Sequence, residues 1–293
     1  MDIESKKFLG QPKNFVSIFN ALLFDGQPVL KPEYLKDENS ELIMNVSSKH
    51  VDIIKRYEDG TYLDLFVIES QSYVDQCMVA RVMEYESVAR MRYIRQNFKK
   101  HVPMHTRLPM ILTVVLYVGE SKWNAAKRLS ELEIIHPGFE DMFNEFKLNL
   151  IELNTNHKYN TGEKATQDFF DLLRMIYRKQ ILKEDLDREF NRDALYFAYV
   201  VTKNKELLNI YQESEKGDVK VCRALDEMFE ESTNKGIQMG IKQGIEKGVE
   251  RGVKNTQIKI AIKMLVRNNQ TLEEISEIVG LDLDALKELK KSI

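Results

Sequence analysis

VDIIKRYEDGTYLDLFVIESQ, residues 51–71, is two apolar runs rich in β-branched and aromatic side chains, with the turn sequence EDGT between them. An Asp-Gly pair flanked by such runs is a strong hairpin signal, so the stretch reads as two antiparallel strands. Three polar residues stand where a buried strand should be apolar: Asp52, Glu69 and Gln71. Side chains two apart on a strand share a face, so Glu69 and Gln71 project together while Asp64, Ile68 and Ser70 face the other way. A hairpin register could bring Asp52 beside them. Two carboxylates on one sheet face call for a cation or a proton between them.

Composition bounds what surrounds this hairpin. The chain has 293 residues, 43% hydrophobic and 30% charged, which is ample for one elaborated domain or two modest ones. A formal net charge of −3 confines any nucleic-acid surface to a local patch. Cys77 and Cys222 form neither a metal spacing nor a disulfide framework, which fits a reducing compartment. The opening MDIESKKFLG has no apolar segment after its charges, and Leu108 to Val118 is about half of a membrane span. A cytoplasmic protein with no membrane partner is expected.

Upstream, Phe15, Ile18, Phe19 and Leu22 recur at helical spacing, and Asp25-Gly26 with Pro28 ends that helix. Residues 31–48 are polar and turn-rich apart from Leu42 to Met44. Downstream, Tyr73 to Lys100 contains no Gly or Pro and places Val74, Met78, Val82, Tyr85, Val88 and Ala89 at helical spacing. One long helix is expected there. Its later half carries Arg90, Arg92, Arg95, Lys99 and Lys100, either a phosphate-facing cluster or a solvated face. Leu108 to Val118 (LPMILTVVLYV) is the clearest strand, closed by Gly119 and followed by Trp123 in a turn or short helix. Residues 146–153 (FKLNLIEL) suggest another strand. This order makes residues 1–160 a mixed α/β core with helices packed on a central sheet.

The rest reads as helical. Phe169, Leu172, Leu173 and Ile176 mark one helix, Leu195 through Leu208 a second, and Val221, Leu225, Met228 and Phe229 a third, an extension over residues 161–232. Residues 233–256 hold a repeat, GIQMGIKQGIEKGVERGVK, with Gly236, Gly240, Gly244, Gly248 and Gly252 each followed by Ile or Val. Five helical glycines cost roughly 4–5 kcal/mol relative to alanine. Lys242, Glu246, Lys247, Glu250 and Arg251 exclude a membrane span, leaving a flexible helical arm or a self-association helix, and with it a homo-oligomer. Residues 257–293 form a small helical tail: a helix over Ile258 to Val266, a capping-box signal at Thr271 and Glu274, a C-cap at Gly280 and a last helix from Asp282. Two short helices joined at a glycine suggest a helix-turn-helix, but the aspartates in DLDALKELKK suit a packing unit better than a DNA reader.

Paired strand carboxylates are useful as a divalent-metal site, since Mg²⁺ takes one or two carboxylates with waters and substrate phosphate. Asp52 and Glu69 would be the ligands and Gln71 an orienting group; a satisfied polar cluster at a sheet edge is the alternative. There is no P-loop, no G-x-G-x-x-G and no G-x-S-x-G. Pro103 between His101 and His105 works against a shared helical metal face, and His50 is a lone histidine beside the hairpin.

The hairpin with its Asp, the E-x-Q on the second strand and the following helix with Arg81 and Tyr85 resemble the PD-(D/E)XK nuclease superfamily. Within it, FNALLFDGQPVLKPEYL, VIESQSYVDQCMVARVMEY, LTVVLYVGESKWN, the glycine repeat and TLEEISEIVGLDLDAL resemble the recombination-promoting nuclease/putative transposase family, over most of the chain. The resemblance implies a restriction-endonuclease-like mixed central sheet flanked by helices, with an all-helical C-terminal extension. It implies a metal-dependent DNA endonuclease, using Mg²⁺ or Mn²⁺ and tied to recombination or transposon activity. The catalytic set would be Asp52, Glu69 and Gln71, the metal ligands Asp52 and Glu69, and the DNA contacts Arg81, Arg92, Arg95 and Lys99. Gln71 stands where the superfamily usually has lysine, so a fixed positive charge is replaced by hydrogen bonds. A non-catalytic DNA-binding or self-associating protein on a nuclease fold is the rival expectation.

Overall fold

A computed structural model describes residues 3–38, 53–60, 63–181, 185, 187–214 and 217–292. The chain forms two compact units, Met1–Glu227 and Met228–Ile293.

The first unit is built on a five-stranded sheet in the order β1 (Leu35–Asp37), β2 (Ile53–Glu58), β3 (Leu63–Gln71), β4 (Ile111–Tyr117), β5 (Asn149–Glu152). The first three strands form an antiparallel meander, and β4 and β5 add in parallel, so the sheet is mixed. The hairpin register pairs Ile53 with Ile68 and Glu58 with Leu63. Gly60, in the turn, has φ 90°, a left-handed conformation that glycine adopts without a Cβ clash.

Strand alternation divides the core between two helices. Helix α1 (Ile3–Leu9) precedes α2 (Pro12–Phe24), which lays Phe15, Ile18 and Phe19 on one face. The Phe19 ring lies 4.8 Å from Phe66, and Tyr57 lies 5.7 Å from the same ring. Lys55 is buried on that side, with Nζ 2.6 Å from Asp37 Oδ1. On the other face, Ile54, Leu65 and Val67 pack with Tyr85 and Ala89 of α3 (Met78–Asn97). Met78, Val79 and Val82 meet Val115, Tyr117 and Trp123. Each fully buried aliphatic or aromatic side chain contributes about 1.5–3 kcal/mol, so α3 is firmly seated.

Several details differ from the sequence expectations. Strand β1 falls in the segment read as turns, while Leu42 to Met44 lie outside the described residues. Helix α3 starts at Met78, not Tyr73, because the chain must first leave β3. Asp75 organises that exit by accepting the Cys77 N–H at 2.9 Å. Trp123 sits in an irregular segment, its Nε1 donating to the Ala125 carbonyl at 3.1 Å. After α4 (Lys164–Arg178), the helix expected over Leu195 to Leu208 is two: α5 (Arg192–Thr202) and α6 (Lys205–Glu213). Lys203 takes a left-handed conformation between them, and the Asn204 side chain caps α6 by accepting from Glu206 N. A small antiparallel pair, β6 (Glu189–Phe190) and β7 (Val219–Lys220), lies within this helical part.

Helix α7 runs unbroken from Cys222 to Arg267, 46 residues, so the expected separate helix at Ile258 is its C-terminal end. Nothing between Lys254 and Ile258 breaks a helix, and Thr256 Oγ1 bonds back to the Gly252 carbonyl at 2.8 Å. In the second unit, α8 (Leu272–Val279) carries the full Thr271/Glu274 capping box and ends at Gly280, φ 73°. Helix α9 (Leu283–Lys291) is capped by Asp282. Ala261 and Leu265 of α7 pack with Ile275, Val279 and Leu286, a three-helix apolar cluster.

Candidate functional site

Glu69 and Gln71 share the α3 face at the carboxyl end of β3, where the parallel ladder pairs them with Val115 and Tyr117. In open α/β sheets that end is where ligands bind. Both side chains are buried, at 4% and 5% exposure. A buried carboxylate needs a partner, and α3 supplies one. Arg81 Nη2 lies 3.3 Å from Glu69 Oε1. The same guanidinium donates from Nη1 to Asp75 Oδ2 at 2.5 Å and from Nη2 to the Tyr85 hydroxyl at 2.6 Å. Gln71 Nε2 contacts the Met78 sulfur at 3.6 Å, and Arg81 Nη1 reaches that sulfur at 3.7 Å.

The result is one cation held between two carboxylates and a phenol against an apolar floor. Burial alone would lower the Arg81 pKa, but the hydrogen bonds to Asp75 and Tyr85 and the charge of Glu69 raise it above its ordinary value. The Tyr85 phenol is raised, first by burial and further by the Glu69 charge, against the opposing bond from Arg81. Both therefore stay protonated at physiological pH.

A second buried carboxylate on α3 shows the contrast. Glu86 Oε1 accepts the Thr113 N–H at 3.0 Å, and Oε2 accepts from Arg90 Nη2 at 3.1 Å. It anchors the helix to β4. Asp64, on the opposite face from Glu69, accepts the Met110 N–H at 3.1 Å and ties β3 to the chain entering β4.

Of the expected site residues, the structure brings together Glu69, Gln71 and Arg81. Asp52 and His50 lie outside the described residues; Asp52 is adjacent in sequence to Ile53, the last described residue of the β2–β3 ladder. Arg81 faces the sheet and is apart from the other expected DNA contacts. Arg92 is half-buried on α3, while Arg95 and Lys99 are exposed. From Arg81 to Arg95 the helix rises about 21 Å, and Arg81, Arg92 and Arg95 fall within roughly 60° around its axis. Asp75 was missed by sequence reading, although an aspartate three residues before the first helical residue is a turn signal. Gly119 was read only as a strand end. A Cβ there would lie 2.5 Å from the Tyr117 hydroxyl and 2.6 Å from the Ser72 carbonyl, so glycine allows the chain after β4 to pass against the exit from β3.

Among the described residues no group of three His, Cys, Asp or Glu side chains is arranged to hold a metal. The donors that do converge are hard oxygens: the Glu69 and Asp75 carboxylates on the Arg81 cation, with the Gln71 amide beside them. Such oxygens are the donor type that a hard divalent ion takes, and here the Arg81 guanidinium lies between the two carboxylates.

The fold and site define a mixed α/β protein with a buried, arginine-bridged acidic cluster at the carboxyl end of its central parallel strands. The family model described as "putative transposase, YhgA-like" matches residues 27–207, and the chain belongs to that family. No curated protein and no solved structure matches the chain. Among the described residues no helix is long and apolar enough to cross a membrane.

Proposed function

We propose that this chain is a metal-dependent DNA endonuclease of the PD-(D/E)XK type, acting in recombination or transposon-related DNA processing. Glu69 carries the reading: a buried carboxylate at the carboxyl end of a central strand, with Gln71 beside it and a guanidinium bridging it to a second acid. A guanidinium also bridges two buried acids away from the sheet, where Arg188 joins Asp168 and Asp171, so it is the place of Glu69 at the carboxyl end of β3, beside Gln71, that supports the reading. Membership of a family of transposase-like proteins supports DNA as the substrate.

In this reading Asp52 and Glu69 hold Mg²⁺ or Mn²⁺. The ion supplies an acidified water and polarises the phosphoryl group. Gln71 orients a water or phosphate oxygen through its amide. Arg81 provides the positive charge that the E-x-Q sequence lacks: its guanidinium lies beside Glu69, fixed by Asp75 and Tyr85, and faces the charge that builds on the phosphate oxygens. Arg92, Arg95 and Lys99 meet backbone phosphates farther along the strand; about 21 Å corresponds to roughly six nucleotides of one strand.

Purified protein with Mg²⁺ or Mn²⁺ is expected to nick or cut plasmid DNA, and to stop doing so with chelator or as Asp52→Ala or Glu69→Ala. Cleavage that survives both substitutions would sink the assignment. A chain that binds DNA equally with and without metal, and cuts none, would instead be a non-catalytic DNA-binding protein on this fold.

A further inference from the structure

Strand β4 leaves the sheet into a loop whose first carbonyl oxygens are all taken by side chains. The Val118 carbonyl accepts from the Tyr177 hydroxyl of α4. Asn154, two residues after β5, directs its Nδ2 at three successive carbonyls: Gly119 at 3.0 Å, Glu120 at 3.2 Å and Ser121 at 2.7 Å. The Tyr117 hydroxyl also donates to the Ser121 carbonyl, at 2.7 Å. The Cβ position of Gly119 lies against the Ser72 carbonyl, one residue beyond Gln71. The loop therefore sets out from β4 beside the end of β3 that carries Glu69 and Gln71.

The described peptide bonds are all trans, and in a trans peptide each N–H points opposite to the C=O of the same peptide. Carbonyls 119–121 turned toward Asn154 thus leave the N–H groups of Glu120, Ser121 and Lys122 turned away from it. Among the described residues no backbone or side-chain group accepts these N–H groups, and all three residues are exposed. The loop spends its backbone acceptors inside and keeps a rim of backbone donors outside, with the Lys122 ammonium on it. Glu120 is the acid of this loop. Burial raises the Tyr177 pKa and the Glu120 charge raises it further, so that carboxylate is felt on the α4 side.

We propose that residues 119–122 are a contact for the phosphate backbone of DNA, held next to the Glu69 site by Asn154 and Tyr177 as positioning residues. The proposal rests on DNA being the substrate of that site. A phosphodiester oxygen only accepts hydrogen bonds, so a donor rim with one cation suits it, and backbone N–H groups commonly make such contacts. Three carbonyls converging on one nitrogen make the opposite rim convex. Its N–H groups therefore take separate oxygens along a strand and do not cradle one free anion.

TROSY spectra of the deuterated full chain, titrated in chelator with a short duplex and separately with inorganic phosphate, test this without cleavage. The amides of Ser121 and Lys122 should shift with the duplex over the concentration range in which it binds. Shifts with inorganic phosphate alone would mark an adventitious ion only and overturn the proposal. A duplex that binds and leaves these amides unmoved, or a chain that binds no duplex, overturns it too. Anisotropy of a labelled duplex then compares variants. Lys122→Gln, at an exposed position, should weaken binding about ten-fold and lower the slope of log affinity against log salt by about one. Asn154→Ala removes no charge, so it should weaken binding with the slope unchanged. Two variants that bind as the wild type does overturn the role of the loop. Loop amides that move with the duplex, in a chain that cuts no DNA with Mg²⁺, would uphold this contact while removing the nuclease reading.

Discussion

Strand β3 and helix α7 both break the rules of their own secondary structure, in opposite senses. β3 places Glu69 and Gln71 where a central strand should be apolar, and α7 places glycines and exposed Ile and Val where a solvated helix should carry alanine and charge. In β3 the exception is answered inside the fold: Arg81, Asp75, Tyr85 and Met78 close around the polar pair. In α7 nothing among the described residues answers it, since from Gly236 to Thr256 every residue is exposed. An exception met internally points to chemistry at that place. One left open on a helix surface costs the helix stability that no contact among the described residues offsets.

The sharpest way to break this contrast is at Glu69. Glu69→Ala is expected to lower the DNA cleavage rate by roughly 10²–10³-fold or more, the scale on which a preorganised charged group contributes to a reaction. Arg81→Gln should also lower the rate, while Arg81→Lys retains part of it. If Arg81→Gln cut as fast as wild type, its cation would be structural only, and the positive charge assigned to the site would have to come from elsewhere.

Gly119 tests whether the exits from β3 and β4 are as tightly constrained as the contacts indicate. Its alanine variant puts a methyl 2.5 Å from the Tyr117 hydroxyl and 2.6 Å from the Ser72 backbone oxygen. Overpacking of this kind costs about 1–3 kcal/mol, and each kcal/mol lowers Tm by about 2–4 °C in a unit of this size. Thermal melting monitored in the near ultraviolet, where Trp123 reports, should show the loss. An unchanged Tm would mean that this crossing relaxes freely.

The glycines of α7 should respond with the opposite sign. Gly236→Ala and Gly252→Ala meet no neighbouring atom, so each should stabilise the helix by about 0.8–1 kcal/mol. Far-ultraviolet circular dichroism against temperature would show it. A destabilising alanine would mean that the stripe is already packed against something as close as the Gly119 crossing is.

How much of this was legible in the sequence depended on the kind of information each feature needs. The hairpin was readable because the period-two pattern and the Asp-Gly turn are local, and the capping box at Thr271 and Glu274 for the same reason. The start of α3 was not. Val74 falls on the helical period and does pack beside Met78, Val79 and Val82, yet it lies outside the helix. Apolar spacing records which side chains are buried, and a chain rounding the end of a strand can bury one without helical backbone. The break between α5 and α6 was hidden likewise, because Leu207 is fully buried on the far side of it; the Asn204 cap was the local signal. At the site, Glu69 and Gln71 stood out as polar residues on an apolar strand. Their tie to Arg81 did not, because it depends on how α3 lies across the sheet, and no spacing along the chain encodes that.

Glu86 offers the finest test, because it is a buried carboxylate on the same helix with a structural set of partners. Burial raises its pKa above the ordinary glutamate value, against the opposing effects of the Thr113 N–H and Arg90. The folded chain therefore binds this proton more tightly than the unfolded chain does. The stability linked to that proton is fully present below the unfolded pKa and is lost as pH rises through the folded one. Glu86→Gln keeps an acceptor for Thr113 and never ionises, so its Tm relative to wild type should improve from about pH 4 to about pH 8. A difference in Tm that does not move with pH would remove the linkage. Cleavage by this variant should stay within a few-fold of wild type, since Glu86 holds α3 on β4 and no part of the Glu69–Arg81–Asp75 network runs through it. A rate that fell as far as that of Glu69→Ala would erase the distinction between a carboxylate that fastens the fold and one that serves the reaction.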